Sequence, residues 1–140
     1  MPETAPATAC LFCDLLDGHG ELSVAASDAV VVAFMDTFPV APGHVLVVPR
    51  RHVPSLEYLT AEEGTALWSM TQIMARRIRA QHAPAVNLHL SDGAEAEQDV
   101  PHVHMHVLPR HAGDAITIRL PGQSATRDQL DRVATSLAAD

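Results

Sequence analysis

The sequence predicts an α+β fold, with a mainly antiparallel five-stranded sheet, one long helix and one C-terminal helix. Three observations carry this. Short runs of apolar, often β-branched residues recur along the chain, the first being DAVVVAFMD at 28–36. The strands in the middle of the chain are joined by turns too short for the crossover that parallel pairing requires. Two stretches, one after Thr60 and one after Thr126, instead place apolar residues at helical spacing.

The elements follow in order. The opening MPETAPATA reads as a disordered tail over 1–9, leaving 10–140 as a single domain. After the 28–36 strand, TFPVAPGH at 37–44 is a Pro/Gly-punctuated loop. HVLVVP at 44–49 is a second strand ended by Pro49. Thr60 and Glu63 form a T-x-x-E capping box, with Leu59 as the apolar residue before it. Leu67, Met70, Ile73, Met74 and Ile78 make one apolar helix face that ends near Gln81, before Pro84. AVNLHLS at 85–91, VHMHVLP at 103–109 and AITIRL at 115–120 are the third to fifth strands, with loop DGAEAEQD at 92–99. The last helix starts at Thr126 and is expected to turn Leu130, Val133 and Leu137 inward.

Composition narrows the function. Hydrophobic residues make up 47% and charged residues 19%, an ordinary folded composition. The net charge of −8, with no basic block, argues against nucleic-acid binding but leaves room for a small nucleotide in a locally positive pocket. No apolar run is long enough to span a bilayer, and the N-terminus lacks a basic leader, so the expectation is a cytoplasmic protein without a membrane partner. All nine basic residues are Arg, which rules out a lysine nucleophile or Schiff base.

The most informative stretch is VPHVHMHVLPR at 100–110. On a strand, alternate side chains share a face, so His102, His104 and His106 project together while Val103, Met105 and Val107 enter the core. The three rings then form a ledge on the exposed side. Such a ledge is a polar solvent face, a metal site or a nucleophilic acid–base site. The surroundings favour the last, because imidazole attacks phosphorus well and a covalent intermediate splits one displacement into two. Gln98 and the backbone of the 91–99 loop offer donors to a phosphate.

The run His102-Val-His104-Met-His106-Val-Leu resembles, at all seven positions, the His-φ-His-φ-His-φ-φ signature of the histidine triad (HIT) superfamily, φ being apolar. Pro109-Arg110 and the AGD at 112–114 resemble bacterial HIT hydrolases and the fragile-histidine-triad branch, and the chain as a whole resembles the Hint branch too. Phe34-Met-Asp36, the stretch from Pro39 through Gly43-His44 to Pro49, Asn87 and Asp92-Gly93 resemble further blocks, so the likeness spans roughly 10–120. The resemblance implies a HIT-like fold and a nucleotide hydrolase or nucleotidyl transferase acting at the α-phosphate of a purine nucleotide conjugate. His104 would attack phosphorus and form a nucleotidyl–histidine. His106 would contact a non-bridging oxygen, and His102 would orient the site or protonate the leaving group. Asp36 would hold the ribose hydroxyls, a role suited to a carboxylate. Gln98 matches a phosphate-side Gln, and Leu11, Phe12, Phe34 and Met35 fall where the family builds its base pocket. Phe34 and Met35, as strand neighbours, cannot line it equally. His44 has a counterpart near the bound nucleotide, and a homodimer is implied.

Two positions depart from the family pattern. Ser91 stands where Asn or Gln is usual near the phosphate, and Glu97 replaces a common Gly, which implies strain if that position needs positive φ. Both bear on a rival reading, a catalytically weak nucleotide-binding module.

Cys10 and Cys13, in CLFC, are half of a zinc site. By the same resemblance, His52 and His102 complete a structural Cys₂His₂ set, with no metal in the chemical step. A zinc-binding structural protein with a coincidental triad is the third reading; it requires the triad itself to bind the metal. His89 reads as structural, and His19, His82 and His111 as surface residues.

Overall fold

The computed structural model describes residues 10–139; the expected tail at 1–9 lies outside the described residues. The chain forms α1 (Leu11–Leu16), β1 (Val24–Ser27), β2 (Val31–Met35), β3 (Val45–Pro49), α2 (Ala61–Gln81), β4 (Ala85–His89), β5 (Met105–Arg110) and α3 (Arg127–Ala138). The five strands make one sheet in the order β1-β2-β3-β5-β4, and every neighbouring pair is antiparallel. The predicted α+β class, five-stranded antiparallel sheet and two named helices are all present.

Strand alternation sorts the core into two layers. Val31, Ala33, Val45, Val47, Val103 and Val107 face α2, where they meet Leu67, Met70, Met74 and Ile78. Val32, Phe34, Leu46 and Val48 face the other way, against Cys10 and Phe12 of the α1 region. Helix α2 starts as its sequence demands: the Thr60 hydroxyl accepts from Glu63 N–H at 3.0 Å and the Glu63 carboxylate accepts from Thr60 N–H at 2.9 Å. Arg51 grips the same carboxylate with two 2.8 Å bonds, and Glu63 is held down to a pKa of about 2, first by that guanidinium.

Three expectations are corrected. Only residues 31–35 of the expected 28–36 strand are extended; 28–30 are a turn leading back to β1 at 24–27, a strand not expected from the sequence. Asp28 accepts from the N–H groups of Val30 and Val31 at 2.7 and 2.8 Å, closing a tight turn that makes β1 and β2 a hairpin. AITIRL at 115–120 alternates like a strand but pairs with nothing, and Leu120 is 88% exposed. Helix α3 forms with its own capping box at Thr126 and Gln129, yet Leu130, Val133 and Leu137 are not turned inward. They are exposed, since no other described element packs on that face. No described helix is long and apolar enough to cross a membrane.

Candidate active site

The histidine segment does not form an exposed ledge. The ladder begins only at Met105; His102 lies in a bend, its N–H donating to the Val100 carbonyl at 2.8 Å, and His104 immediately precedes the first ladder residue. Helix α1 lies over them, with the Phe12 ring edge-on to both, at centroid distances of 5.9 and 5.1 Å. His102 is fully buried and His104 nearly so. His106, opposite Leu46 across the β3–β5 ladder, is half-buried on the same face.

Backbone groups set the tautomers, because a ring nitrogen facing a carbonyl must carry the proton and one facing an N–H must not. His104 Nδ1–H donates to the His102 carbonyl at 2.7 Å, so in the neutral ring the lone pair belongs to Nε2. That ring forms part of the wall of a cavity of about 430 Å³, together with His106. Val40 N–H donates to His44 Nδ1 at 3.1 Å, which puts the His44 proton on Nε2. His44 Nε2–H then donates to His106 Nδ1 at 2.9 Å, leaving His106 with Nε2–H as its free donor. Asp36 adds a second acceptor for His44, its Oδ2 lying 3.4 Å from Nε2. Burial, then the neighbouring His104, His44 and His89, lowers the His106 pKa to about 4. Burial also lowers that of His44, against a smaller opposing pull from Asp36. The site therefore places a lone pair and an uncharged N–H donor side by side.

Asp36, Phe12, Phe34, Leu11 and Met35 all line the same cavity, which combines an apolar slot with a carboxylate at its rim. Phe12 and Phe34 meet edge to face at 5.5 Å. Other expected residues are placed differently. His102 is outside the cavity wall, with Nε2 2.7 Å from the Pro49 carbonyl and Nδ1 turned to the cysteines. Both of its ring nitrogens thus face away from the cavity, and its carbonyl accepts from His104 Nδ1. Gln98 is occupied within its loop: its carbonyl accepts from Gly93 N–H and its amide donates to the Pro54 and Val100 carbonyls. Ser91 contacts His89 Nε2 at 3.2 Å, away from the cavity wall. Glu97 does take the left-handed conformation, φ 64°, the one non-glycine residue with positive φ among those described.

Sequence reasoning missed Asp99. Its carboxylate is 83% exposed and 3.5 Å from His104 Nε2. The signal was available only as an acid-rich loop before the triad.

Behind the histidines, Cys10, Cys13, His52 and His102 bring four ligand atoms within 4.8 Å of one another. For bonds of about 2.3 Å to sulfur and about 2.05 Å to nitrogen, a tetrahedral zinc has sulfur–nitrogen edges of about 3.6 Å. The three sulfur–nitrogen contacts here are 3.3, 3.5 and 3.6 Å. His102 also carries the usual outer support of a metal-bound imidazole, a backbone carbonyl on its other nitrogen. The donor set and spacing fit zinc. Asp36, His44 and His106 converge as well, but 2.9 Å between two ring nitrogens is a hydrogen bond, shorter than the edge of about 3.3 Å a zinc would impose.

Residues 21–113, well over half of the chain, match the model of the HIT domain. The chain belongs to the HIT family. The HIT match contains all three histidines and ends short of Cys10 and Cys13, so the cysteine pair stands outside it. A HIT family protein from Bacillus anthracis is similar in structure, with a TM-score of 0.88 and 30% identity, covering 94% of this chain and 96% of that one. A zinc-bound histidine triad family protein from Mycobacterium smegmatis has a TM-score of 0.74 and 29% identity, covering 93% of each. The bifunctional bis(5′-adenosyl)-triphosphatase/adenylylsulfatase FHIT of Arabidopsis thaliana is 45% identical over 83 residues, 59% of this chain. The matched part is 46% of that longer protein.

Proposed function

We propose that this HIT protein is a nucleotide hydrolase or nucleotidyl transferase acting at the α-phosphate of a purine nucleotide conjugate, a phosphoramidate or a dinucleoside polyphosphate. The observation that carries the reading is the 2.7 Å bond from His104 Nδ1 to the His102 carbonyl, which orients the ring with Nε2 toward the cavity and, in the neutral tautomer, puts the lone pair there. The Arabidopsis relative's name, with its triphosphatase and adenylylsulfatase activities, supports chemistry of this class.

The base enters the slot between Leu11, Phe12 and Phe34, and Asp36 accepts from the ribose hydroxyls. The His104 Nε2 pair attacks the α-phosphorus, and the leaving group departs with the electron pair of its bond. His106 Nε2–H donates to a non-bridging oxygen; as a neutral donor it needs no proton transfer to do so. Water then cleaves the nucleotidyl–His104 bond and releases the nucleoside monophosphate.

Zinc in this reading is a structural clamp. None of its four ligands lines the cavity, and together they join the start of α1, the segment after β3 and the start of the histidine segment. Two cysteines kept free as ligands suit a reducing compartment, so we place the protein in the cytoplasm. We also read it as a homodimer: β4 is an exposed sheet edge, Trp68 is half-exposed on α2, and α3 has an uncovered apolar face.

The test is AMP release from adenosine phosphoramidate and diadenosine triphosphate, with His104→Asn as control. The reading predicts release by the wild type and a loss of at least about 10³-fold in the variant. Tight AMP binding with no release would leave a nucleotide-binding module instead.

A further inference from the structure

Three carboxylates line the cavity, Glu21, Asp36 and Asp99, and no arginine does. The described chain holds every arginine of the sequence, and residues 1–9 contain no Lys or Arg. Arg51 is bound to Glu63, and Arg110 to Asp114 and Asn87, away from the cavity wall. Asp99 is the carboxylate beside the reacting atom, 3.5 Å from His104 Nε2, and its exposure places it at the mouth. Asp92, Glu95 and Glu97 precede it on the same loop, again without a cation among them.

We propose that Asp99 determines leaving-group specificity by charge, favouring conjugates that release an amine, above all an amine bearing a second positive charge, over conjugates that release a phosphate chain. The inference rests on the hydrolase reading above and refines it. A polyphosphate leaving group carries several negative charges past Asp99 with no counter-cation in the wall. A cationic amine meets the opposite field at the solvent-exposed mouth, so the preference should weaken as salt is added.

The chemistry balances without a further reactant. His104 Nε2 forms a bond to phosphorus while the P–N bond breaks, and its electron pair stays on the amine nitrogen, which takes up a proton from solvent at the open mouth. Water then adds its oxygen to phosphorus, the N–P bond returns its pair to His104, and the proton lost by water goes back to solvent. The sum is conjugate plus water giving nucleoside monophosphate plus amine.

The experiment compares kcat/KM for three substrates: the adenosine 5′-phosphoramidate of a simple monoamine, that of a diamine with a free ammonium, and diadenosine triphosphate. Wild type and the isosteric Asp99→Asn are measured side by side. The wild type should prefer the diamine conjugate, then the monoamine, then the triphosphate. In Asp99→Asn the diamine conjugate should lose about 10-fold and the triphosphate gain about 10-fold, with the monoamine changing less than either. A common factor on all three substrates, or an unchanged order and spacing, overturns the role of Asp99 and leaves the hydrolase reading standing. AMP release from none of the three by the wild type overturns the hydrolase reading and this inference with it.

Discussion

Both ring nitrogens of His104 have a defined job because the main chain, not another side chain, holds Nδ1. His106 is set less directly, through Val40 N–H, His44 and then its own Nδ1. Truncating His44 therefore removes the group that orients His106 without touching His104, the proposed nucleophile. His44→Ala should lower kcat by about 10–100-fold, by analogy with lost outer-shell support, while AMP affinity changes little. Steady-state kinetics beside AMP titration separates the two; an equal loss in both would make His44 a direct binding residue. The depressed pKa of His106 also sets a sign for stability. The folded chain resists protonating a ring that the unfolded chain protonates near 6.5. The stability it contributes is present above pH 6.5 and is lost as the pH falls through about 4. Thermal midpoints should fall across that window, and His106→Gln should flatten the fall.

At the level of elements, what the sequence states locally is what it shows best. The Thr60 capping box, the 61–81 helix and the strands at 45–49, 85–89 and 105–110 follow from residues a few positions apart. The triad was legible for the same reason, since period-two spacing needs no tertiary knowledge. Its burial was not, because α1, which lies over the rings, is a six-residue helix with no periodicity long enough to read, and the rest of the cavity wall comes from distant loops and strands. AITIRL shows the converse: its alternation is strand-like, but a strand exists only with a partner. The zinc ligands come from α1, the segment after β3 and the histidine segment, 92 residues apart at the extremes, so only the resemblance could join them. Zinc bound there should be lost with Cys10→Ala and retained in His104→Ala. Metal content and the melting temperature should both fall in the first variant and hold in the second. Loss of metal with His104→Ala would instead place it on the triad.

The molecule as a whole carries a net charge of −8, and the cavity wall shares that sign. It also leaves much apolar surface open, with Leu120 and Leu137 both at least 80% exposed beyond the sheet. A second copy would cover α3 and the β4 edge. Light scattering should therefore give twice the chain mass for the wild type, and Leu130→Glu with Val133→Glu should return it to that of one chain. A wild-type monomer would contradict the dimer and leave the α3 face unexplained.

In the proposed mechanism His104 becomes covalently joined to the nucleotide. The most direct measurement is intact mass after acid-free quenching of wild-type protein with an adenosine phosphoramidate, followed by mapping of the modified peptide. An added adenylyl group should appear on His104, be absent in His104→Asn and discharge to AMP on longer incubation. Turnover with no adduct at any time and no burst of leaving group, or an adduct on His106 instead, would contradict it.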